Sequence, residues 1–242
     1  MTPYQASARF FIAIAGNIGA GKSTLTALLA RRLGWTPFFE AVDDNPYLAD
    51  FYQDMPRWAF HSQIYFLSRR LRHHRDLLNQ PTSVVQDRTV YEDAEVFARN
   101  LYEQGALSAR EYHSYRELYE VLTSLLPPPD LVVYLRTSVD TLLRHIAQRG
   151  RDFERDISPA YLSRLNALYE DWIRDFTLCP VLVLPADELD VVQDEGHLGL
   201  VAARILDRLN SAQERAPERS EGPPEGTPPR LRCVQHDNLA IR

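Results

Sequence analysis

The 242-residue sequence is poor in cysteine and has no long apolar run. Its two cysteines, Cys179 and Cys233, lie far apart without a C-x-x-C pattern, so neither a zinc site nor a disulfide framework is indicated, and we interpret both as free thiols. No apolar run approaches the length of a membrane span, and residues 1–10 lack the apolar core of a signal peptide. These absences predict a cytoplasmic protein without a membrane partner.

An excess of positive charge is also missing. The chain has 27 Lys and Arg against 33 Asp and Glu, a formal net charge of -6, which argues against a general nucleic-acid binder. With 45% hydrophobic and 25% charged residues, its composition is that of an ordinary globular protein, and its length allows a full core.

A phosphate-binding loop follows the first predicted strand. The apolar run at residues 11–15 leads into GNIGAGKS, which fits the pattern G-x-x-x-x-G-K-[ST] and is followed by a predicted helix at residues 25–33. Glycines let successive N–H groups point at a polyphosphate, a lysine adds positive charge, and a serine hydroxyl suits Mg²⁺. A chance Gly-rich turn is the alternative, but the strand, loop and helix arrive in the right order. The residues predicted to bind ATP here are Gly16, Asn17, Ile18, Gly19, Ala20, Gly21, Lys22, Ser23 and Thr24.

Strands alternate with helices along the rest of the chain. Further strands are predicted at residues 35–40, 83–87, 131–135 and 181–184, and further helices at 57–78, 92–103, 108–125, 139–148, from 159 after a Ser158 cap, and 196–209. This alternation predicts an α/β fold with a five-stranded parallel sheet covered by helices on both faces. From residue 211 the chain is rich in proline and almost without apolar residues, so we expect a domain at 1–210 and a disordered tail at 211–242.

Two acids end predicted strands at the edge where ligands bind in such sheets. Glu40 could take the proton from an acceptor hydroxyl as it attacks the terminal phosphate, although a solvated strand-end glutamate is an equal alternative from spacing alone. Asp87 follows an apolar strand and could join Ser23 at Mg²⁺, and an ion pair with neighbouring Arg88 is compatible with that role.

Several motifs together resemble the deoxyribonucleoside kinases, and more specifically their bacterial deoxyadenosine/deoxyguanosine kinase branch. The resemblance covers about residues 9–209, and the tail lies outside it. It rests on residues 16–24, Glu40, Tyr52 with Trp58, Gln63, Asp87-Arg88-Thr89, Asp93, Arg149-Gly150-Arg151 with Glu154, and Tyr161. It implies the P-loop kinase fold with a short arginine-bearing lid at about residues 149–156, Mg²⁺, and transfer of phosphate from a nucleoside triphosphate to the 5'-hydroxyl of a deoxynucleoside in nucleotide salvage.

The resemblance also implies individual roles around the acceptor sugar. Glu40 would deprotonate the 5'-hydroxyl, with Arg88 steadying the same region and Lys22 acting on the phosphates. Tyr52 and Glu154 match the pair that hydrogen-bonds the 3'-hydroxyl. The lid residues Arg149 and Arg151 would clamp the donor phosphates.

Base recognition is implied for three further residues. Gln63 matches the base-reading amide, and Asp93 would accept from an exocyclic amino group, directly or through an arginine. Arg70 lies seven residues beyond Gln63 on the same helical face, whereas the local motif favours Arg69; we choose Arg70. Deoxyadenosine leads as substrate, with deoxyguanosine and deoxycytidine close behind, and the choice of ATP or GTP stays open.

Other points stay open as well. His145 stands where the family often has a further lid arginine, with Arg144 beside it, so either could serve the lid. The helices at 57–78 and 108–125 are of the kind through which family members pair, which implies a homodimer, although both could simply cover the sheet.

Two other functions are possible for a chain with this phosphate loop. A nucleoside monophosphate kinase of the thymidylate type would need cations at its acceptor phosphate rather than the carboxylate of Glu40. A nucleotide-binding regulator is disfavoured because no Asn-Lys-x-Asp stretch reads guanine and the acid and arginine set is complete.

Overall fold

The computed structural model describes residues 9–39, 45–151, 154–155 and 157–215, apart from the side chains of 213 and 215. Its centre is one parallel sheet with the strand order β2-β3-β1-β4-β5, so the predicted five-stranded α/β fold is confirmed. The strands are β1 (Phe11–Gly16), β2 (Thr36–Phe38), β3 (Val84–Asp87), β4 (Leu131–Arg136) and β5 (Val181–Pro185).

Helices cover both faces of this sheet. They are α1 (Lys22–Leu33), α2 (Leu48–Gln53), α3 (Met55–Leu78), α4 (Val90–Glu92), a π-helical segment (Asp93–Ala98), α5 (Arg99–Glu103), α6 (Ala109–Ser124), α7 (Val139–Arg149), α8 (Pro159–Asp175) and α9 (Glu195–Arg215). Among these described helices, none combines the length and the apolar character needed to span a membrane.

The central strand β1 is buried along its whole length because both of its faces are covered. Ile12 and Ile14 pack into the cluster formed with α1, α7 and α9. Ala15 belongs instead to the larger cluster on the opposite face, which includes side chains from α3, the π-helical segment, α6 and α8. The alternation of side chains along one strand therefore joins two hydrophobic cores through a single sheet.

Local signals in the sequence set most helix starts. Ser108 and Ser158 each accept a hydrogen bond from the backbone of the third helical residue, as predicted for Ser158. Asp54 caps α3 in the same way, with Pro56 in the first turn. Such caps offset the unpaired N–H groups that every helix start exposes.

Four segments differ from the expected pattern. Strand β2 is only three residues long, because it is an edge strand in which Pro37 lacks an N–H to donate. The predicted helix at 92–103 is interrupted by the π-helical segment, and α2 was not predicted. Helix α9 continues to Arg215, so the first residues of the expected disordered tail are helical; residues 216–242 lie outside the described part of the chain.

Candidate active site

The carboxyl ends of β1, β3 and β4 meet at one edge of the sheet. In the strand register Ile14 lies beside Asp87, and Gly16 lies beside Leu135. The sequence-based expectation that the phosphate loop and Asp87 share this edge is confirmed. Glu40, the predicted general base, lies outside the described residues.

The phosphate loop is shaped by glycine and held by helices packed around it. Gly19 has a φ of 82°, and a Cβ at this position would come within 2.8 Å of the carbonyl oxygen of Leu142 on α7. Gly21 is also left-handed and directly precedes α1, whose first residue is Lys22. The ammonium of Lys22 donates to the carbonyl oxygen of Asn17 at 2.9 Å, so it lies inside the loop that it would share with a phosphate.

Asn17 fastens this loop to α8. Its side-chain amide donates to the backbone carbonyl of Leu162 at 3.0 Å and to the side-chain oxygen of Asn166 at 2.7 Å. Its own side-chain oxygen accepts from the N–H of Ile18 at 2.7 Å. Asn17 is almost fully buried, so these bonds fix one side of the loop rather than read a ligand.

Ser23 and Asp87 meet beside the loop. The Ser23 hydroxyl donates to Asp87 Oδ2 at 2.5 Å, while Asp87 Oδ1 is buried without a hydrogen-bond partner in the described residues. Mg²⁺ bound with a nucleotide needs one or two protein oxygens and takes its other ligands from phosphates and water. This donor pair fits such an ion, although the described residues contain no group of three or more His, Cys, Asp or Glu suited to hold a metal alone.

Arg88 has an unusual backbone for a residue that is not glycine. Its φ is 66°, in the left-handed region, and its N–H donates to the carbonyl oxygen of Ile14 at 3.0 Å, which extends the β1–β3 ladder by one bond. Its buried guanidinium lies over the ring of Phe97 at 4.6 Å and donates to the Tyr169 hydroxyl at 3.0 Å. This strained backbone directs the Arg88 side chain into the cavity.

One cavity runs from the phosphate loop to α3 and the π-helical segment. Its wall contains most of the residues singled out from the sequence together with a set of aromatic and aliphatic side chains. The lining residues from the first group are Ile18, Gly19, Lys22, Ser23, Tyr52, Gln63, Arg88, Asp93, Arg149, Arg151, Glu154 and Tyr161. The apolar side chains are Leu48, Phe51, Phe66, Phe97 and Leu101.

Gln63 and Asp93 are the polar residues that α3 and the π-helical segment contribute to the cavity wall. The side-chain oxygen of Gln63 is buried and has no hydrogen-bond partner among the described residues. Asp93 accepts from Arg70 Nε at 3.0 Å and from Nη2 at 3.4 Å, and both side chains are buried. Arg69 instead lies 5.9 Å from the ring of Tyr65, so the chosen arginine, Arg70, is the one paired with Asp93.

The start of the lid is held by a buried carboxylate. Glu154 accepts a hydrogen bond from Arg149, and its other oxygen lies 3.6 Å from Arg151. Burial raises the pKa of the nearby Tyr52 phenol well above its usual range, and the charge of Glu154 adds to this rise. Burial also raises the pKa of Tyr161 to about 12. Both phenols are therefore neutral hydrogen-bond donors at neutral pH.

Helix α7 contacts the phosphate loop through a histidine rather than an arginine. The Nδ1 atom of His145 lies 2.8 Å from the carbonyl oxygen of Gly19, so this nitrogen carries the proton and donates it. Arg144 instead donates to the hydroxyl of Thr141 at 2.8 Å within its own helix.

Sequence reasoning missed two buried residues beside the loop, Glu92 and Tyr169. Both belong to one network of hydrogen bonds with the backbone of Gly16. The spacing Thr89-x-x-Glu92 is a capping box, a signal that could have identified Glu92. Tyr169 gives no such signal, because it lies among the apolar positions of α8.

Comparisons with known proteins agree with this geometry. A deoxyadenosine/deoxycytidine kinase of Bacillus subtilis (strain 168) is 39% identical over 206 residues, which are 84% of this chain and 95% of that protein. A deoxyguanosine kinase of Lactobacillus acidophilus is 36% identical over 82% of this chain and 90% of its own length. A solved structure of deoxyadenosine kinase from M. mycoides with bound dATP matches with a TM-score of 0.73 and 32% identity, over 82% of this chain and 100% of that one. Because the sequence pattern of deoxynucleoside kinases also matches residues 12–210, this chain belongs to the deoxynucleoside kinase family.

Proposed function

We propose that this kinase transfers the γ-phosphoryl group of ATP, or of another nucleoside triphosphate, to the 5'-hydroxyl of deoxyadenosine or deoxyguanosine in nucleotide salvage. One observation carries the proposal: Lys22 and Ser23 of the phosphate loop line the same cavity as Gln63 and Asp93. A donor phosphate at one end and a base at the other would leave the sugar between them. That order is what in-line transfer to a sugar hydroxyl requires.

The donor half would consist of the phosphate loop and the lid. Backbone N–H groups of the loop other than those of Gly16 and Ile18, which already donate to Glu92 and Asn17, would hold the phosphates together with the ammonium of Lys22. Arg149 and Arg151 would neutralise the charge that spreads over the transferred group. Ser23 and Asp87 would hold Mg²⁺, which when bound would supply further charge neutralisation at the phosphates. The buried Oδ1 of Asp87, which has no hydrogen-bond partner within the described part of the chain, supports this assignment.

The sugar would lie between two sets of side chains. Tyr52 and Glu154 would hydrogen-bond its 3'-hydroxyl, and Arg88 would steady the 5'-oxygen as Glu40 removes the proton. The neutral phenol of Tyr52 can donate to a hydroxyl and the buried carboxylate of Glu154 can accept from one, so the pair suits this task.

The base would lie beyond the sugar against Gln63 and Asp93. An amide offers a donor and an acceptor side by side. The side-chain oxygen of Gln63, which no described residue hydrogen-bonds, could accept from the exocyclic amino group of adenine. Asp93, held by Arg70, would accept from a second donor on the base or on a bound water. The names of the relatives, which include deoxyadenosine, deoxycytidine and deoxyguanosine kinases, agree with a preference for bases that carry an amino group.

We further propose a homodimer in the cytoplasm, formed through α3 and α6. Support comes from apolar side chains that α6 and its C-cap leave exposed, namely Leu118, Val121 and Leu125.

The decisive experiment is a parallel phosphorylation assay with the four deoxynucleosides and with ATP and GTP as donors. We expect transfer to deoxyadenosine to be the fastest.

Glu40→Gln should lose at least about 99% of turnover and still bind ATP, because a general base contributes roughly 10²–10⁴-fold. Glu195→Gln, an exposed acid at the start of α9, is the control. Wild-type turnover in Glu40→Gln would remove Glu40 as the base, and no transfer by the wild-type protein would reject the proposed function.

A further inference from the structure

A buried network of hydrogen bonds joins the first residue of the phosphate loop to Arg88. The carboxylate of Glu92 accepts from the N–H of Gly16 at 3.1 Å, and the hydroxyl of Tyr169 lies 2.8 Å from the carbonyl oxygen of the same glycine. The Tyr169 hydroxyl also lies 2.8 Å from Glu92 Oε1 and accepts from Arg88 Nη1 at 3.0 Å. Both polar groups of the Gly16 backbone are therefore tied to side chains that also touch Arg88.

Glu92 is fully buried, and its surroundings compensate its charge. Besides the bond from Gly16, its second oxygen accepts from the N–H of Thr89 at 2.8 Å and from the Thr89 hydroxyl at 3.1 Å. The guanidinium of Arg88 lies 3.6 Å away. A capping box needs only the bonds between Glu92 and Thr89. The bonds from Gly16 and Tyr169 are additional, so this carboxylate also connects α4 to the phosphate loop and to α8.

Tyr169 is the centre of the network. Burial raises the pKa of its phenol well above the usual range, and Arg88 opposes this rise only in part. The hydroxyl therefore keeps its single proton, which it can donate either to Gly16 or to Glu92 while it accepts from Arg88. The ring packs on Tyr134 at 5.7 Å and on Phe97 at 6.4 Å, which leaves the hydroxyl little freedom to move.

Helix α8 gives this tyrosine a rigid base. The same helix binds the phosphate loop one residue further along, through Asn166 and the Leu162 carbonyl oxygen, which both accept from Asn17. Three attachment points therefore lie within two turns of α8. Because Arg88 follows β3 and the loop follows β1, α8 is the element that links the donor side of the site to the acceptor side.

We propose that Tyr169 is a positioning residue for phosphoryl transfer, which fixes the guanidinium of Arg88 relative to Gly16 and thereby relative to the donor phosphates. The proposal rests on the proposed function, because it takes Arg88 to act at the acceptor hydroxyl. Tyr169 itself does not line the cavity among the described residues, so it acts through Arg88, which it holds relative to the loop.

The variant Tyr169→Phe tests the positioning role of Tyr169, and Tyr134→Phe is its matched control. Each removes one hydroxyl from a stacked, buried ring, but the Tyr134 hydroxyl donates to Glu170 instead of the network. We expect Tyr169→Phe to lower kcat about tenfold or more with KM for the deoxynucleoside changed less than about threefold, because small displacements of reacting groups mainly slow the chemical step. Tyr134→Phe should stay within about twofold of the wild type in kcat.

A double-mutant cycle with Arg88→Ala separates positioning from general loss of structure. If Tyr169 acts through Arg88, Tyr169→Phe should change kcat less than about twofold once Arg88 is absent. The proposal would be overturned if Tyr169→Phe lowered kcat by the same factor in the wild type and in Arg88→Ala. It would also be overturned if Tyr169→Phe alone left kcat unchanged. Thermal melting and ATP binding establish that each variant is folded, and Glu92→Gln replaces Tyr169→Phe in the cycle if that protein does not fold.

The assay also distinguishes the two levels of inference. An active wild-type enzyme with an unaffected Tyr169→Phe variant rejects the role of Tyr169 alone. A wild-type protein that phosphorylates no deoxynucleoside rejects the proposed function and the positioning role together.

Discussion

Asp93 is part of a buried ion pair and also of the cavity wall. It lines the cavity and forms an ion pair with Arg70. Less than a tenth of the surface of each of these two side chains is exposed. Removing one partner of a buried ion pair destabilises the fold more than removing one partner of a surface pair, because the remaining charge stays buried without the opposite charge of that partner. The residue should therefore affect both the stability of the fold and the choice of base.

We predict that Asp93→Asn changes the order of activity among the four deoxynucleosides while KM for ATP stays within about twofold. The asparagine presents an NH₂ donor where a carboxylate accepted. It also removes the buried negative charge that Arg70 contacts at 3.0 Å, so the free energy of unfolding should fall by about 3 kcal/mol. Steady-state kinetics and urea unfolding measure the two effects.

Asp187→Asn is the matched control for this substitution. Asp187 accepts from Ser138 at the start of α7 and is exposed, so its loss should leave the substrate order unchanged. An unchanged order in Asp93→Asn as well would exclude Asp93 from base recognition.

At the scale of elements, α7 joins the phosphate loop to the lid. The Gly19 carbonyl oxygen accepts from His145, and the backbone of Gly19 packs against Leu142 and Ile146 of the same helix. One turn further on, α7 ends at Arg149, which contacts Glu154.

We predict that His145→Ala raises KM for ATP about fivefold. The loop would lose its hydrogen bond to His145, and a typical hydrogen bond contributes about 1 kcal/mol. Arg144→Ala should change KM for ATP less than about twofold, since Arg144 bonds within its own helix. ATP titrations of both variants measure this. A larger effect from Arg144→Ala would identify Arg144 as the lid residue.

Helix α3 contributes a pH-sensitive contact to the core. The His74 ring meets Phe11 of β1 edge-on at 5.3 Å, and its Nε2 lies 3.0 Å from the carbonyl oxygen of Pro127. Burial lowers the pKa of His74 below 6.5. The unfolded chain therefore binds the proton more readily, and the stability that neutral His74 provides is present above pH 6.5 and is lost as the pH falls below it.

We predict that the free energy of unfolding falls between about pH 7 and pH 5.5, and that His74→Gln reduces this fall. Urea unfolding across this range measures the slope. His113→Gln removes a largely exposed histidine of α6 and should leave the slope unchanged. Equal slopes in the wild type and in His74→Gln would contradict the assignment.

The elements that the sequence predicted well are those with a strong local signal. Serine caps, an unbroken apolar run at β4 and the glycine pattern of the loop each act within a few residues, so they can be identified without the fold. Helix α2 was missed because it is six residues long and too short for a periodic pattern. The π-helical segment depends on packing against neighbouring helices, which no local propensity encodes.

The site residues that could be predicted from the sequence are likewise those with a local signal. Ser23, Asp87 and Arg88 stand in recognisable motifs, and their proximity follows from parallel strands ending at one edge. Tyr169 could not be found, since a tyrosine on the buried stripe of a helix is most often a core residue and its hydroxyl meets Gly16 only through the tertiary fold.

At the scale of the whole molecule, α6 and its C-cap expose three large apolar side chains. Leu118, Val121 and Leu125 are 40%, 62% and 74% exposed, and Leu125 also lines a shallow groove between α3 and α6. We predict that Val121→Glu converts the proposed dimer to a monomer, because it inserts a charge into this surface.

Light scattering at about micromolar concentration measures the mass, which should fall by half in Val121→Glu. Val192→Glu is the control, because Val192 is equally exposed at 62% and lies outside this surface. A wild-type protein that is already monomeric would reject the proposed dimer.

The π-helical segment at Asp93–Ala98 affects how this chain is compared with others. Each residue turns a regular helix by about 100°, so closing the wide turn would rotate Leu101 away from the cavity that it shares with Asp93. A related chain with an uninterrupted helix here would need one residue fewer to keep both ends in place. In an alignment, a single-residue gap inside this helix would therefore mark a change of helical geometry at the cavity wall and not a change in loop length.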